Sequence, residues 1–197
     1  MLSINPYNKQ SVYTVVSVIV VVFNNSDHLE KCLQRYRQIS THDKVELIII
    51  DGGSTDRTLD VIKNNEDLIK YWISEKDNGI YDAMNKGILS SIGKYIIFVN
   101  SDDRIEATLF DHVVRYAENS NADIIACAAR MTREGQQIFI RWPQNIDIGF
   151  FVRPLPFSHN ATLISRTLYS RIGLYRTDYK IVSDLDFYYR AFFAKAF

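Results

Sequence analysis

Three short runs of β-branched and other apolar residues constrain the fold of this chain more than any other feature of its sequence. They cover Val15–Phe23, Val45–Ile50 and Tyr95–Val99, and each contains at most one polar residue. Strands with one wet face alternate apolar and polar residues, whereas strands of a parallel sheet are covered on both faces and appear as unbroken apolar runs. The runs therefore predict a buried, mostly parallel sheet.

Amphipathic helical patterns separate and follow these runs. Apolar residues recur every three or four positions in His28–Ile39, Thr55–Asn64, Ile80–Ser91 and Glu106–Ala117. Strands that alternate with helices are typical of the α/β class. We therefore expect a mostly parallel central sheet with helices on both faces.

The pattern divides the chain into an N-terminal extension over residues 1–14, a regular half over residues 15–118 and a less regular half over residues 119–197. In the last of these we expect strands at Ala122–Ala129 and Gln136–Trp142 and helices at Arg166–Ile172 and Ser183–Ala194. Between them, Pro143–His159 is proline-rich and without a period, which indicates an extended connection.

Composition excludes several classes of protein. The 23 basic residues equal the 23 acidic residues, and proteins that bind nucleic acid usually carry a basic excess, so we expect no nucleic-acid partner. Cys32 and Cys127 lie in apolar patterns without metal-binding spacing, which favours two reduced thiols. The longest apolar run is shorter than the roughly 20 residues that span a bilayer, and the start MLSINPYNKQ does not resemble a secretory signal, so we expect a cytoplasmic protein.

Polar loops follow each of the three predicted strands, at Asn24–Ser26, Asp51–Ser54 and Asn100–Asp103. In open parallel sheets, ligands bind in the crevice beyond the carboxyl ends of the strands. The three loops are therefore expected to line one site.

Two adjacent carboxylates, Asp102 and Asp103, follow the third strand. Their mutual repulsion favours a hard divalent cation, which takes some oxygen ligands from carboxylates and the rest from substrate phosphates. The alternative is that Asp103 only caps the following helix. In the second loop, Gly52 and Gly53 permit a sharp turn and leave Asp51 at the strand end, where its carboxylate is able to accept a hydrogen bond from a base or a ribose. No dinucleotide-binding or P-loop motif is present.

Further candidates lie on two predicted helices and one loop. Asp82 and Asn85 share a helical face with Lys86, which equally fits a surface ion pair between Asp82 and Lys86. Asp184 and Asp186 precede an aromatic helix, so either is a cap or a catalytic base. His159, as a lone histidine, is more often a structural hydrogen-bonding residue than a ligand.

The order of the motifs VIVVVFNN, IIIDGGSTDRT, SEKDNGIYDAMNKG, GKYIIFVNSDD, SHNAT and VSDLDF resembles the family 2 glycosyltransferases of the GT-A fold, which is Rossmann-like. The resemblance covers residues 15–193 and is closest to the bacterial branch that builds polysaccharides. It implies that residues 15–118 bind a nucleotide-sugar and that residues 119–197 form the acceptor side. It also implies that the chain is cut short at its C-terminus.

The resemblance also implies roles for individual residues. Asp103 matches the metal ligand for Mg²⁺ or Mn²⁺, and Asp184 matches the general base. Asp51 matches the acid that recognises uracil, and His159 a histidine that lines the cleft. The implied substrate-binding residues are Phe23, Asn24, Asn25, Asp51, Asp82, Asn85, Asp102 and His159. Two positions depart from the family pattern: Asn100 replaces an acid before the metal motif, and Ser183 replaces a glutamate before the base, so the choice between Asp184 and Asp186 stays open.

The implied activity is an inverting, metal-dependent transfer of a sugar from a nucleotide-sugar, most simply a UDP-sugar, to a saccharide or lipid-linked saccharide acceptor. The alternative is a nucleotide-sugar-binding module without turnover. A nucleotidyltransferase is disfavoured because the chain has no glycine-rich, basic triphosphate loop. The aromatic segment Phe187–Phe197 is interpreted as core, with a further C-terminal segment or the inner membrane face as alternative packing partners.

Overall fold

The computed structural model describes residues 3–4, 13–133, 136–144 and 155–196. Within these residues, a seven-stranded sheet and a separate hairpin account for the strands. The sheet contains β1 (Ser3–Ile4), β2 (Val16–Val22), β3 (Val45–Asp51), β4 (Tyr71–Ser74), β5 (Tyr95–Asn100), β6 (Ile124–Ala126) and β9 (Thr162–Ser165), and the hairpin contains β7 (Ala129–Arg133) and β8 (Gln136–Arg141).

The sheet has the strand order β1-β4-β3-β2-β5-β9-β6, and its centre is parallel. Strand β2 pairs in parallel with β3 and β5, and β3 pairs in parallel with β4, while the outer strands are added antiparallel. The register places Val22 opposite Asp51, and Asp51 opposite Ser74, so the three strands β2, β3 and β4 end at the same level. The predicted parallel core is confirmed.

Helices cover both faces of the sheet, as predicted. They are α1 (Ser26–Tyr36), α2 (Thr58–Lys63), α3 (Ile80–Ser90), α4 (Ala107–Asn119), α5 (Arg166–Ile172) and α6 (Ser183–Phe193). One apolar cluster joins α1, α2 and α4 to one face, and a second joins α3, α5 and α6 to the other. The chain after residue 118 therefore shares the sheet and the second cluster with the chain before it.

Helix α3 lies unusually close to the sheet because of Gly87. A Cβ atom at this position would lie 2.5 Å from Cγ2 of Ile19 on β2, and no real side chain fits at that distance. The glycine is therefore required by the close approach of helix and strand, and it fixes where α3 begins relative to the strand ends.

The second half differs in detail from the sequence prediction. The segment Ala122–Ala129 was predicted as one strand, but it divides into β6 in the sheet and the start of β7 in the hairpin. Strands β4 and β9 were not predicted, because four residues are too few to show a period. The expected extended connection, Pro143–His159, lies outside the described residues between positions 145 and 154.

Among the described residues, no helix combines the length and the apolar character needed to cross a membrane. Of the aromatic residues near the C-terminus, Phe187 and Tyr188 are fully buried in the second cluster.

Candidate active site

Side-chain hydrogen bonds hold the loops after β2, β3 and β5 together at one edge of the sheet. Asn24 has a left-handed backbone, its N–H donates to Ser54 Oγ at 2.7 Å, and its Oδ1 accepts from the N–H of Thr55 at 2.8 Å. Asn25 Nδ2 donates to Ser101 Oγ at 2.9 Å. The three polar loops predicted to line one crevice are therefore adjacent.

Asp51 is fully buried beneath this edge. Its carboxylate accepts from Ser54 Oγ at 2.5 Å, from Ser54 N–H at 3.1 Å and from Ser74 Oγ at 2.6 Å. Both carboxylate oxygens are therefore bonded within the protein, and the side chain joins the loop after β3 to the end of β4.

Asp103 lies half-buried in the loop after β5, next to the exposed Asp102. Its Oδ2 accepts from the N–H of Asn100 at 3.0 Å and from Nδ2 of Asn160 at 2.8 Å. Burial raises the pKa of Asp103; the Asn100 N–H lowers it, and the negative charge of Asp102 raises it further. Asp103 thereby connects the loop after β5 to the segment before β9.

Asp103 does not cap the following helix, because α4 begins at Ala107 and its N-cap position is Glu106. Among the ion pairs of the described residues, none contains Asp102 or Asp103, while the neighbouring Arg104 pairs with Glu106 at 3.2 Å. No group of three or more His, Cys, Asp or Glu side chains placed to hold a metal ion occurs within the described part of the chain. Two adjacent carboxylates without a cationic partner fit a divalent cation that shares its other ligands with phosphates.

Helix α3 presents Asp82 in its first turn, close to the same edge. Asp82 Oδ2 accepts from the N–H of Asn78 at 3.0 Å, and Lys86 Nζ lies 3.5 Å away. Lys86 also pairs with Glu75 at 2.8 Å. Asp82 and Lys86 therefore form the surface ion pair that was the alternative prediction for these residues.

Asn85, on the same helix, makes two hydrogen bonds to the backbone of Tyr175. Its Nδ2 donates to the Tyr175 carbonyl at 2.8 Å, and its Oδ1 accepts from the Tyr175 N–H at 3.0 Å. This pair of bonds attaches α3 to the segment between α5 and α6.

The two candidate bases on α6 have different surroundings. Asp184 Oδ1 accepts from the hydroxyl of Tyr81 at 3.1 Å, whereas Asp186 Oδ2 pairs with Nε of Arg190 at 2.9 Å. Arg190 also donates to the carbonyls of Ile172 and Leu174 at 2.6 and 2.8 Å. Asp186 is therefore part of a structural network, and Asp184 is not.

Neither aspartate occupies the N-cap of α6, because that position is Val182, in a left-handed conformation with φ of 63°. A β-branched residue adopts this conformation only when the surrounding structure enforces it, and such positions cluster at functional sites. The turn fixes the start of the helix that carries Asp184.

His159 lies among aromatic side chains and contacts Tyr188 of α6, the helix that carries Asp184. Its Nδ1 is 2.9 Å from the hydroxyl of Tyr188, and its ring stacks on Phe98 with centroids 5.7 Å apart. Burial lowers the pKa of His159, and the negative charge of Asp184 opposes this shift. Nε2 is buried without a hydrogen-bond partner in the described structure.

Three residues that sequence analysis did not select contact the predicted site residues or the loops that carry them. Asn160 and Tyr81 contact the predicted metal ligand and the predicted base, and Asp77 lies against Gly52. All three lie within the motifs SHNAT and SEKDNGIYDAMNKG, but sequence alone gives no reason to choose them over their neighbours.

Comparison of the sequence with known proteins and comparison of the structure with solved structures both find proteins that are glycosyltransferases or that bind nucleotide-sugars. The PGL/p-HBAD biosynthesis glycosyltransferase of Mycobacterium bovis (strain BCG / Pasteur 1173P2) is 30% identical over 183 residues, which are 89% of this chain and 69% of that protein. Staphylococcus aureus TarS 1-349, solved in complex with UDP-GlcNAc, superposes with a TM-score of 0.69 at 17% identity, covering 90% of this chain and 53% of that one.

The mannosyltransferase PcManGT from Pyrobaculum calidifontis, solved with GDP-Man and Mn²⁺, has a TM-score of 0.63 at 20% identity and covers 85% of this chain and 49% of that one. The chain thus spans about half the length of these two solved chains. The similarity confirms the GT-A fold. Residues 17–197 match the protein family described as "Glycosyl transferase family 2", and the chain belongs to that family.

Proposed function

We propose that this protein transfers a sugar, with inversion, from a UDP-sugar to a saccharide or lipid-linked saccharide acceptor. The observation that carries the proposal is a chain of contacts: Asp103 bonds to Asn160, and the adjacent His159 contacts Tyr188 on the helix that carries Asp184. Asp103 lies in the loop after β5, and ligands bind beyond the carboxyl ends of such strands in α/β proteins. Family membership supports the reaction class. The nucleotide-sugars in the TarS and PcManGT structures support the donor class.

The donor is proposed to bind across the loops after β2, β3 and β5. Phe23, Asn24 and Asn25 form the nucleoside end, and Asp82 and Asn85 belong to the helix that faces the diphosphate and sugar. Because Asp51 and Asn85 already bond to other parts of the protein, we assign a positioning role to each. Asp51 orders the loop after β3, and Asn85 attaches α3 to the segment between α5 and α6. This arrangement positions the donor before the acceptor arrives.

Asp103, with Asp102 beside it, is proposed to hold a Mg²⁺ or Mn²⁺ ion together with the donor diphosphate. When bound, the ion would neutralise charge on the leaving nucleoside diphosphate. Asn160 fixes the orientation of the Asp103 carboxylate through its hydrogen bond at 2.8 Å. The Mn²⁺ ion in the PcManGT structure supports a divalent cation in this fold.

Asp184 is proposed as the general base that removes the proton of the acceptor hydroxyl. Asp186 is committed to Arg190, so the structure favours Asp184 between the two aspartates that sequence left open. Tyr81 holds one carboxylate oxygen and leaves the other for the acceptor. A single attack on the face opposite the leaving group inverts the anomeric centre, since no second carboxylate is needed as nucleophile.

The test is to replace Asp103 and Asp184 separately by Asn and to measure sugar transfer and donor hydrolysis with UDP-sugars and Mn²⁺. The Asp184→Asn enzyme is expected to bind UDP as the wild type does and to lose activity by about 100-fold or more, because general-base catalysis contributes about 10²–10⁴. An exposed surface variant, Asp60→Asn, is the control.

Turnover that survives both substitutions would refute these assignments. Tight binding of UDP-sugars by the wild type, with neither transfer nor hydrolysis, would instead support the alternative function of a binding module.

A further inference from the structure

Three residues meet where the nucleoside of the donor is proposed to bind. They are Phe23, Gly52 and Asp77, which lie in the loops after β2, β3 and β4. A Cβ atom built on Gly52 would lie 2.6 Å from Oδ2 of Asp77 and 3.4 Å from Cδ2 of Phe23. Gly52 does not adopt a left-handed φ, so conformational freedom does not explain this glycine. It is the missing side chain that lets the carboxylate of Asp77 lie against the backbone.

Asp77 is fixed in this place but keeps one oxygen open. Its Oδ1 accepts from the N–H of Gly79 at 2.9 Å, and among the described residues no donor reaches Oδ2. The side chain is half-buried, and the neighbouring ring of Phe23 is 62% exposed. An oriented carboxylate oxygen therefore lies next to a free aromatic surface.

Asp51, which the family resemblance assigns to base recognition, has neither property. It is fully buried, and its oxygens accept from Ser54 and Ser74. A base would have to break these hydrogen bonds to reach it, whereas Oδ2 of Asp77 has none to lose.

We propose that Asp77, resting on Gly52 beside the ring of Phe23, selects the base of the donor nucleotide by accepting a hydrogen bond from a ring N–H. The inference rests on the proposed function and deepens it. Uracil and guanine each carry such a ring N–H, and their flat faces stack on an aromatic ring. At the corresponding position, cytosine has a ring nitrogen without a hydrogen, which is an acceptor. An ionised carboxylate is also only an acceptor, so the two repel each other.

The test is calorimetric titration of the wild type, Asp77→Asn and the surface control Asp60→Asn with UDP, GDP and CDP in the presence of Mn²⁺. We expect the wild type and the control to bind UDP or GDP more tightly than CDP. The Asp77→Asn variant is expected to lose about 10- to 100-fold in affinity for the preferred nucleotide, since it loses a hydrogen bond to a charged group. Its preference over CDP is expected to shrink, because the amide of Asn is also able to donate.

A double-mutant cycle with Gly52→Ala separates this role from a general loss of structure. The added methyl group displaces the Asp77 carboxylate, so Gly52→Ala alone is expected to weaken binding of the preferred nucleotide by about 10-fold. In the Asp77→Asn background the same substitution is expected to have a much smaller effect, because coupled residues are not additive. Thermal unfolding of each variant confirms that it is folded.

Base selection by Asp77 is overturned if folded Asp77→Asn binds UDP, GDP and CDP within twofold of the wild type, while the nucleotide-sugar proposal stands. It is equally overturned if Gly52→Ala and Asp77→Asn act additively. If the wild type binds none of the three nucleotides, the proposed function fails and this inference fails with it.

Discussion

At the scale of single residues, the site depends on which carboxylates the fold engages and which it leaves available. Asp51 and Asp186 are both bonded to other parts of the protein, the first to Ser54 and Ser74 and the second to Arg190. Within the described part of the chain, the Asp184 carboxylate accepts one hydrogen bond, from Tyr81. The three aspartates therefore differ in role according to their local partners.

Tyr81→Phe tests how Asp184 is oriented. The substitution removes the hydroxyl at 3.1 Å and keeps the ring, which packs 5.8 Å from the ring of Tyr175. We expect kcat to fall about 10-fold with KM for the donor unchanged, because one hydrogen bond to a charged group is lost.

The matched control is Tyr116→Phe, which removes a hydroxyl from an exposed tyrosine on α4. A kcat for Tyr81→Phe within twofold of the wild type would show that Tyr81 does not orient the base.

At the scale of helices and strands, the site is assembled by side chains that join neighbouring elements. Gly87 sets the distance of α3 from β2, and Asn85 attaches α3 to Tyr175 in the segment before α6. These contacts bring Tyr81 to Asp184. On the other face of the sheet, Asp111 joins α4 to the loop after α1.

Asp111 accepts hydrogen bonds from the N–H groups and hydroxyls of Ser40 and Thr41. Burial raises the pKa of Asp111, but these hydrogen bonds outweigh it and lower the value from 3.8 to about 2. Because the pKa is lower in the folded state, the stabilisation is present above pH 3.8 and is lost as the pH falls through about 2.

We expect Asp111→Asn to lower the free energy of unfolding by about 1–3 kcal/mol near neutral pH, as when a charged group loses hydrogen bonds. The difference from the wild type should shrink as the pH approaches 2. Urea unfolding over a series of pH values measures it, with the exposed Asp43→Asn as control. A difference that stays constant down to that pH would contradict this account of Asp111.

At the scale of the whole molecule, the sequence predicts the sheet and the edge at which its polar loops meet because both follow from long, simple patterns. The unbroken apolar runs that became β2, β3 and β5 are possible only for strands covered on both faces, and parallel strands bring their polar ends to one edge. Strands β4 and β9, with four residues each, carry no such pattern and form because the sheet beside them supplies their partners.

The finer geometry of the site could not be predicted, because it depends on contacts between residues far apart in the chain. Asp103 meets Asn160, Asp184 meets Tyr81, and Asp77 meets Gly52 across the ends of different strands and helices. Asp51 ends β3 and Asp77 lies in the loop after β4, and only the packing distinguishes the covered carboxylate from the open one.

The central claim is that this edge binds a nucleoside diphosphate through a divalent cation. Its most direct test is to measure the affinity for UDP by calorimetry, with and without Mn²⁺, for the wild type and for Asp103→Asn. We predict that Mn²⁺ tightens UDP binding to the wild type by at least about 10-fold, since the cation joins the carboxylate to the diphosphate. We predict no such gain for Asp103→Asn. UDP binding that Mn²⁺ leaves unchanged in the wild type would contradict the account.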